Sequence, residues 1–332
     1  MRLGPFFKKL QPFQKTLFAL LFFIPVSSDM VPMDRPTRKI ASIAPAQKFA
    51  IVGDTQRTLL VERVFLGREQ NNSEREEIIQ SIVAEQPAFL VHLGDMVDWG
   101  GNRRIWDLFD TLIKPVQDAG IPIFPVLGNH DYFGLNKRRA LGNAYQRFPL
   151  LKQSHWYTKE YNGLGMIFLD SNRKKLAEEQ WAAQVEFLKK ALTDFDANQS
   201  IHGIILFNHH PAYTNSRVTG DEPCINESLL PLFKASKKTM AYITGHAHGY
   251  EHFLEGGKHF IISAGGGGPR VEYFTAEKSG HQDLYTGPAP RPFNYLVVQP
   301  GATGIAIEVK GFEKGETHAN LRVIDTISIA YP

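Results

Sequence analysis

The chain has 332 residues, of which 43% are hydrophobic and 21% are charged. This composition excludes a predominantly disordered protein and is sufficient for one large core in one or two domains. The formal net charge is +3, but 4 of the 37 Lys and Arg residues and none of the 34 Asp and Glu residues lie within residues 1–28. The remainder of the chain is therefore close to neutral, and no surface of the nucleic-acid-binding type is indicated.

The first 28 residues have the pattern of a secretory signal peptide. Arg2 and three lysines precede the apolar run Thr16–Val26, and the small residues Val26 and Ser28 fit cleavage before Asp29. The apolar run is too short to span a bilayer comfortably. We therefore expect an exported protein, located in the periplasm, in the medium or at the cell surface. The alternative is an uncleaved N-terminal anchor, and only in that case do we expect contact with a membrane.

Residues 29–47 contain three prolines and no sustained periodicity, which is typical of an extended linker. We expect one folded domain over residues 48–332. Cys224 is the single cysteine of the chain, so no intramolecular disulfide can form.

Five short apolar runs follow the linker, and a polar cluster comes directly after each of them. Runs of this kind, bounded by Gly, Pro or Asn, are typical of buried β-strands. They are FAIV before GDTQ (Gly53–Gln56), AFLVHL before GDMVD (Gly94–Asp98), IPIFPVL before GNHD (Gly128–Asp131), GIILF before NHHP (Asn208–Pro211) and AYIT before GHAH (Gly245–His248). Because functional groups gather beyond the carboxyl ends of parallel strands, we expect the five clusters to lie at one side of a sheet.

Amphipathic segments separate these strands. Residues 72–86 begin with Asn72 and Ser73, which are candidate N-caps of a helix. Residues 177–192 place four apolar side chains on one helical stripe. That stripe consists of Trp181, Val185, Leu188 and Leu192. The alternation of strands and helices predicts a largely parallel sheet that is covered on both faces.

The texture of the sequence changes after Gly249. Alternating strands joined by glycine-containing turns then continue to the end of the chain. This pattern predicts a second, antiparallel sheet.

The five polar clusters contain seven side chains whose oxygen or imidazole atoms can bind a metal. They are Asp54, Gln56, Asp95, Asn129, His209, His246 and His248. Such a mixed set suits two divalent ions, with Mn, Fe, Zn and Mg as candidates. Two ions about 3.5–4 Å apart can stabilise both the attacking and the leaving oxygens of an in-line displacement at phosphorus. We therefore expect a dinuclear metal centre and a small phosphorylated substrate.

In this order, the five motifs resemble those of the calcineurin-like metallophosphoesterase superfamily, and within it the acid-phosphatase-like branch. The resemblance covers residues 48–249 directly and implies that residues 48–332 form the catalytic domain. The fold it implies is α/β, a four-layer α/β/β/α sandwich of two packed sheets with the motifs at the C-terminal ends of strands. The metal ligands it implies are Asp95 as the bridge, Asp54, Gln56 and His248 at the first site, and Asn129, His209 and His246 at the second.

Two adjacent histidines compete for one ligand position. His209 stands two residues before Pro211, as in the family pattern, so His209 is the implied ligand, and His210 faces the substrate or the outer coordination sphere. Arg57 and Tyr213 flank the motifs and are further substrate-binding candidates, since an arginine fork suits phosphoryl oxygens. An ordinary surface contact is an equally good interpretation of these two residues.

The resemblance gives His130 and Asp98 a catalytic role without making them metal ligands. His130 would stand near the leaving group, and the Asp98 carboxylate would raise the basicity of the imidazole and fix its orientation. The alternative for Asp98 is a helix cap. The purple acid phosphatases have a tyrosine at the position of Asp98, so a ferric–phenolate centre is not expected.

The implied function is metal-dependent hydrolysis of a phosphate ester by a metal-bridging hydroxide. Two alternatives stay open: a phosphodiesterase or nucleotide hydrolase of the same superfamily, and a non-catalytic member that binds a phosphorylated ligand. Gln56 stands where a more familiar pattern has histidine. Because an amide oxygen is a hard, neutral donor, the first site should favour Mn²⁺ or Mg²⁺.

Overall fold

The computed structural model of the protein describes residues 47–332. The expected signal peptide, residues 1–28, and nearly all of the expected linker, residues 29–47, lie outside the described residues and stay predictions. Two six-stranded sheets organise the described part of the chain.

The first sheet has the strand order β12-β11-β10-β1-β2-β3. Its strands are β1 (Phe49–Val52), β2 (Leu90–His92), β3 (Ile123–Pro125), β10 (Phe293–Pro300), β11 (Gly304–Phe312) and β12 (Arg322–Ala330). Strands β1, β2 and β3 are parallel, whereas β10, β11 and β12 pair antiparallel, starting from β1. Three of the five motifs therefore follow neighbouring parallel strands of this sheet.

The second sheet has the strand order β4-β5-β6-β7-β9-β8. Its strands are β4 (Tyr157–Tyr161), β5 (Leu164–Phe168), β6 (Gly203–Phe207), β7 (Thr239–Thr244), β8 (Tyr250–Glu255) and β9 (Lys258–Ser263). Strands β5, β6, β7 and β9 are parallel, and the two edge strands are antiparallel to their neighbours. The remaining two motifs follow β6 and β7.

Eight α-helices lie in the described part of the chain. They are α1 (Leu60–Leu66), α2 (Asn72–Ala84), α3 (Arg103–Asp118), α4 (Lys137–Arg147), α5 (Pro149–Gln153), α6 (Glu178–Ala197), α7 (Leu230–Ala235) and α8 (Ala276–Ser279). Across residues 47–332, none of these helices combines the length and the apolar character that crossing a membrane requires.

Three apolar clusters stack these elements into four layers. Phe49 and Ile51 of the first sheet pack with Phe207 and Ile243 of the second, so the two sheets lie face to face. On the other face of the first sheet, β1 packs against α2 and α3 through side chains such as Trp106. On the other face of the second sheet, β6 and β7 pack against α6 and α7. The expected α/β/β/α sandwich is confirmed.

The expected assignment of strands to sheets is wrong in two respects. The five motifs do not follow strands of a single sheet, since three follow β1, β2 and β3 and two follow β6 and β7. The strands after Gly249 do not form a sheet of their own, because β8 and β9 extend the second sheet and β10, β11 and β12 extend the first. They are mostly antiparallel, as expected, but β9 runs parallel to β7. Tertiary pairing decides this point, since a strand's sequence does not specify which sheet edge it joins.

The two expected helices are present, with a correction at one N-terminus. In α6, the apolar stripe packs against the second sheet. Helix α2 begins at Asn72, so Asn71 rather than Asn72 or Ser73 occupies the N-cap position, and its side chain makes no capping hydrogen bond. The Asn71 amide instead donates to the carbonyl oxygen of Gly268 at 3.0 Å.

Glu251 of β8 makes stability depend on pH. Its carboxylate is fully buried and accepts hydrogen bonds from the Thr214 hydroxyl and the Asn215 amide. Burial raises the pKa of Glu251 from 4.5 to about 8. Between these two values the unfolded chain loses this proton while the folded chain keeps it, so stability falls as pH rises through that window.

We expect Glu251→Gln to remove this dependence, because the amide does not titrate. The free energy of unfolding of the unsubstituted protein should fall, relative to the variant, by on the order of 3 kcal/mol between pH 5 and pH 8. Urea denaturation across this range measures it, with Glu255→Gln, at an exposed site in the same strand, as the control. Parallel pH profiles for Glu251→Gln and the unsubstituted protein would contradict the expectation.

Candidate metal centre

The five motif loops converge where the strand ends of the two sheets meet. The loop after β1 is joined to the loop after β2 by hydrogen bonds from the Asp54 and Gln56 amides to the carbonyl oxygens of Gly94 and Asp95, at 3.1 and 3.0 Å. In the second sheet, the Gly245 amide donates to the carbonyl oxygen of His209 at 3.0 Å. The backbone therefore fixes the spacing between motifs before any ligand binds.

Four predicted ligands have left-handed backbone conformations, with φ angles of 61° at Asp54, 50° at Asp95, 73° at His246 and 43° at His248. This region is sparsely populated by residues other than glycine, and it costs on the order of 1 kcal/mol per residue or more. Such conformations persist where the surrounding structure imposes them, and they cluster at functional sites. Each of these four residues turns sharply away from its strand.

Glycines in the motifs are required by close approach to the carboxylates. A Cβ atom on Gly128 would lie 2.1 Å from Oδ1 of Asp95, and one on Gly245 would lie 2.5 Å from Oδ2 of Asp54. Any larger residue would displace these carboxylates. Close packing against these carboxylates therefore explains why GNHD and GHAH each begin with glycine.

The first half of the site combines Asp54, Asp95, His248 and Gln56. One ligand atom from each of Asp54, Asp95 and His248 lies within 4.8 Å of the other two, and all three side chains are buried. His248 donates its Nδ1–H to the carbonyl oxygen of Pro269 at 2.8 Å, which leaves the Nε2 lone pair directed into the site. Burial lowers the pKa of His248 to about 4, so this imidazole is neutral near pH 7.

Gln56 directs its amide oxygen at the same point. Its Nε2 donates to the carbonyl oxygens of Asp54 and Asp95, at 3.2 and 3.1 Å, and its Oε1 lies 2.9 Å from Nε2 of His248. Two lone pairs that face each other at this distance repel unless a cation lies between them. The arrangement thus fits a metal ion held by an amide oxygen and an imidazole nitrogen.

The second half of the site is built around His209. Its Nδ1–H donates to the carbonyl oxygen of Leu93 at 2.8 Å, which again leaves Nε2 for a ligand bond. That Nε2 atom lies 3.1 Å from Oδ1 of Asn129, 3.1 Å from Nδ1 of His246 and 3.3 Å from Oδ2 of Asp95. Four potential ligand atoms from four loops therefore face one another.

Asp95 belongs to both halves. Its Oδ1 accepts a hydrogen bond from the His130 amide at 2.8 Å, whereas its Oδ2 is buried and has no hydrogen-bond partner among the described residues. A buried carboxylate oxygen without a partner is costly in free energy. The orphaned oxygen would be available to a cation, and it is the best single indication that the residues present fit a metal centre.

The electrostatics of the cluster also call for added positive charge. Burial raises the pKa of Asp54, whereas the pKa of Asp95 is held well below its usual range because His209 and His130 outweigh burial. Burial opposes protonation of His209, but the Asp95 charge raises the pKa of that imidazole to about 9. Burial keeps the pKa of His246 well below its usual value. Without a metal, the His209 imidazolium therefore faces the Asp95 carboxylate while Asp54 favours its protonated form, and divalent cations would displace both protons.

His210 also reaches this cluster, since ligand atoms of His209, His210 and His246 lie within 4.8 Å of one another. The Ser171 hydroxyl oxygen accepts the His210 amide at 2.9 Å and lies 2.8 Å from its Nδ1. This pairing favours donation by the hydroxyl to Nδ1, which leaves the ring proton on Nε2. His210 is therefore suited to donate to a substrate oxygen, whereas His248 presents a lone pair and His209 would present one once a cation displaces its proton.

Two further residues of the site were missed at the level of sequence. Ser171 follows β5, and the signal was a sixth apolar run ending in a polar cluster, FLDSN (Phe168–Asn172). Asp131, the last residue of GNHD, accepts hydrogen bonds from the amides of Met96, Val97 and Gly128, at 3.0, 3.3 and 2.9 Å. Its carboxylate therefore joins the loops after β2 and β3.

The structure changes the expected relation between His130 and Asp98. Nδ1–H of His130 donates to the backbone carbonyl oxygen of Asp98 at 3.1 Å, not to the carboxylate. The Asp98 carboxylate instead lies 3.6 Å from Nη2 of Arg57, and its Oδ1 has no hydrogen-bond partner in the described structure. The helix-cap alternative is also wrong, because Asn102 caps α3 by accepting the Arg104 amide.

The two remaining substrate-binding candidates lie in different surroundings. Arg57 and Asp98 line a cavity of about 360 Å³ together with Thr58, Leu59, Leu60, Arg63, Gln70, Asn72, Trp99, Asn102 and Ile105. Tyr213 packs against the rings of Phe260 and His281, and its hydroxyl accepts a hydrogen bond from Lys234. None of these described contacts of Tyr213 is with the ligand set, so the structure does not bring it into the site.

We expect Gly128→Ala to weaken metal binding about tenfold or more, because the added methyl group displaces the Asp95 carboxylate. Titration calorimetry with Mn²⁺ measures the affinity, and thermal unfolding checks that the variant folds. Gly142→Ala in α4 is the matched control, since a Cβ there meets nothing within 4 Å. Unchanged Mn²⁺ affinity in a folded Gly128→Ala variant would show that Asp95 is not a ligand.

Comparisons with known proteins agree with this geometry. The sequence matches the family model described as calcineurin-like phosphoesterase over residues 47–250, which is more than half of the chain. A search of curated protein sequences found no match.

Solved structures with a similar fold include three from eukaryotes. Purple acid phosphatase PPD1 from yellow lupin (Lupinus luteus) has a TM-score of 0.63 and 17% identity over 86% of this chain and 54% of the lupin chain. The chain thus spans about half the length of the lupin enzyme. GAP50, the anchor in the inner membrane complex of Plasmodium, has a TM-score of 0.63 and 18% identity over 86% of this chain and 89% of the GAP50 chain. A dimetal phosphatase from Danio rerio has a TM-score of 0.58 and 14% identity over 86% of this chain and 99% of the Danio rerio chain.

At these identities the structural likeness shows a common fold and no more. The family model adds the sequence motifs, and their side chains meet at the strand ends described above. The chain belongs to the calcineurin-like phosphoesterase family.

Proposed function

We propose that the protein is a metal-dependent hydrolase of phosphate esters that works with two divalent ions. The observation that carries the proposal is the buried Oδ2 atom of Asp95, which has no hydrogen-bond partner among the described residues and lies 3.3 Å from Nε2 of His209. Asp95 also belongs to the group of potential ligands formed with Asp54 and His248. Asp54, Gln56 and His248 would hold one ion, and Asn129, His209 and His246 would hold the other. When bound, such ions would supply Lewis-acid activation of the phosphoryl group and of the attacking water.

The protein's own groups would orient the ester and handle the proton. His210 is neutral near pH 7, because burial lowers its pKa to about 3, and it would donate from Nε2 to a phosphoryl oxygen. His130 holds its Nδ1–H on the Asp98 carbonyl oxygen, so Nε2 is the ring atom left to carry a proton to the departing oxygen. Arg57 would contact the phosphoryl group or its organic substituent from the adjoining cavity.

The proposed substrate is a small phosphorylated molecule, and the cavity beside Arg57 would receive its organic part. Leu60, Trp99 and Ile105 give this cavity an apolar component that suits a carbon-rich substituent. The resemblance to the acid-phosphatase-like branch favours a monoester. The proposed location is outside the cytoplasm, on the strength of residues 1–28, and N-terminal sequencing of the mature chain tests it.

Metal reconstitution tests the proposed reaction. A metal-stripped sample is supplied in turn with Mn, Mg, Zn, Fe or Co and assayed with a nitrophenyl phosphate monoester and with the bis ester. We expect turnover of the monoester with at least one ion. Asp95→Asn should abolish that turnover, because it removes the shared charge, whereas Asp118→Asn at an exposed surface site should not.

The outcomes separate the competing functions. Faster turnover of the bis ester would favour a phosphodiesterase or nucleotide hydrolase. Bound metal without turnover of either ester would favour a non-catalytic member that binds a phosphorylated ligand. Full activity in Asp95→Asn would refute the proposed site.

Gln56→His should move the metal preference toward Zn or Fe while some activity is retained. The reason is that an imidazole nitrogen replaces a hard amide oxygen at a position 2.9 Å from Nε2 of His248. Activity and metal content are measured after reconstitution with each ion. Gln80→His, at an exposed position of α2, is the matched control. An identical metal profile for Gln56→His would mean that Gln56 is not a ligand.

A further inference from the structure

Helix α1 exposes an unusual amount of apolar surface. Its sequence is LVERVFL, and none of its seven residues is buried. The exposed fractions reach 79% at Phe65, 66% at Leu60 and 64% at Leu66, and Val61 and Val64 are also more than half exposed. Soluble proteins rarely leave such a contiguous apolar patch uncovered unless it contacts a partner or a membrane.

Hydrogen bonds and ion pairs hold the segment that carries this helix in place. The Thr58 hydroxyl donates to the carbonyl oxygen of Glu69 at 2.5 Å, which closes the segment that carries α1. Glu69 is in turn paired with Arg270 at 2.8 Å. Within the segment, Glu62 accepts the Leu59 amide at 3.1 Å and pairs with Arg68 at 2.7 Å. These polar contacts therefore hold the apolar helix in an exposed position.

Unpaired positive charge borders the apolar surface. Arg63 of α1 and Arg103 and Arg104 at the start of α3 are exposed, and no ion pair involves them among the described residues. Asn102 and Ile105, which flank those two arginines, line the same cavity as Leu60 and Arg63, so the start of α3 lies across this cavity from α1. The acidic residue of α1, Glu62, is already neutralised by Arg68.

We propose that α1 is a lipid-contacting element that inserts its apolar side chains into the headgroup region of an anionic bilayer. Exposed Phe and Leu side chains combined with unpaired arginines are the features of interfacial helices on such membranes. Trp99, which is 43% exposed at the same cavity, adds the side chain most typical of the membrane interface. A second copy of the chain fits this surface less well, because a symmetric contact would bring the arginines of both copies together.

The proposal goes beyond the proposed hydrolase function and is independent of it. It places a membrane contact within the folded domain, in addition to any contact made by the N-terminal segment. The cavity that holds Arg57 and Asp98 opens beside α1, so it would face the lipid headgroups when α1 is inserted.

A fluorescent label on α1 tests the proposal in the full chain. Phe65→Cys is combined with Cys224→Ser and labelled with an environment-sensitive fluorophore. The matched control is Leu254→Cys in the same background, because Leu254 is 48% exposed in β8 and lies at the end of the second sheet away from the motifs. Comparing two positions in one chain separates α1 from the N-terminal segment, which is the same in both proteins.

With vesicles of phosphatidylserine and phosphatidylcholine, we expect emission from position 65 to shift to shorter wavelength and to be quenched by spin-labelled lipid. Position 254 should show neither effect. Raising the salt concentration should reduce the response, since screening weakens the attraction of the arginines to anionic lipid. Phe65→Asp should abolish vesicle contact at α1, read from a label at Val61→Cys, while turnover of a soluble phosphate ester is unchanged.

Four results would overturn the proposal. Emission from position 65 that does not change with anionic vesicles would show that α1 stays in solvent. An equal response at position 254 would place the contact elsewhere. An equal response to vesicles of phosphatidylcholine alone would refute the role of anionic lipid. A shift that depends on protein concentration without vesicles would assign α1 to a contact between copies. Loss of phosphatase activity bears on none of these readouts, so the two proposals fail separately.

Discussion

The buried carboxylate of Asp95 is the constraint on which the rest of the site depends. It stands after β2 in the first sheet and faces an imidazole from the second sheet, with Nε2 of His209 only 3.3 Å from its Oδ2. Charge buried at such a position must be compensated or it destabilises the fold. Three kinds of group would compensate this charge. They are the imidazoles of the second sheet, the His130 amide and the divalent ions of the proposed function.

Bringing both sheets to one carboxylate limits the backbone around it. Gly128 must lack a side chain because Asp95 occupies the space of its Cβ, and Asp54, Asp95, His246 and His248 adopt left-handed conformations. These local costs are tolerated because the strands behind them are held in a continuous apolar core between the sheets. Asp131 contributes by joining the loops after β2 and β3. The site is therefore rigid for reasons that lie in packing as much as in ligand chemistry.

The surroundings of the site are asymmetric. On the His210 side, Ser171 fixes the ring at a partly buried position close to the second sheet. On the Arg57 side, the cavity is bounded by α1 and the start of α3, where apolar side chains and unpaired arginines are exposed. A substrate would therefore approach from the Arg57 side, where the protein also offers its proposed contact with lipid. Substrate entry and the proposed lipid contact would therefore use the same side of the protein.

The sequence by itself determined the strands that carry the motifs, because short apolar runs ending in Gly and a polar residue have few other structural solutions. It also predicted the ligand set, since ordered motifs specify residue types independently of their distances. Only the tertiary structure decided that the motif strands belong to two sheets. It also decided that the carbonyl oxygen of Asp98, and not its carboxylate, accepts the hydrogen bond from His130. Finally, it placed Tyr213 among Lys234, Phe260 and His281. These points depend on which strand edges pair and on where a side chain turns after a loop. Contacts between residues far apart in the chain decide both, and local sequence carries little information about them.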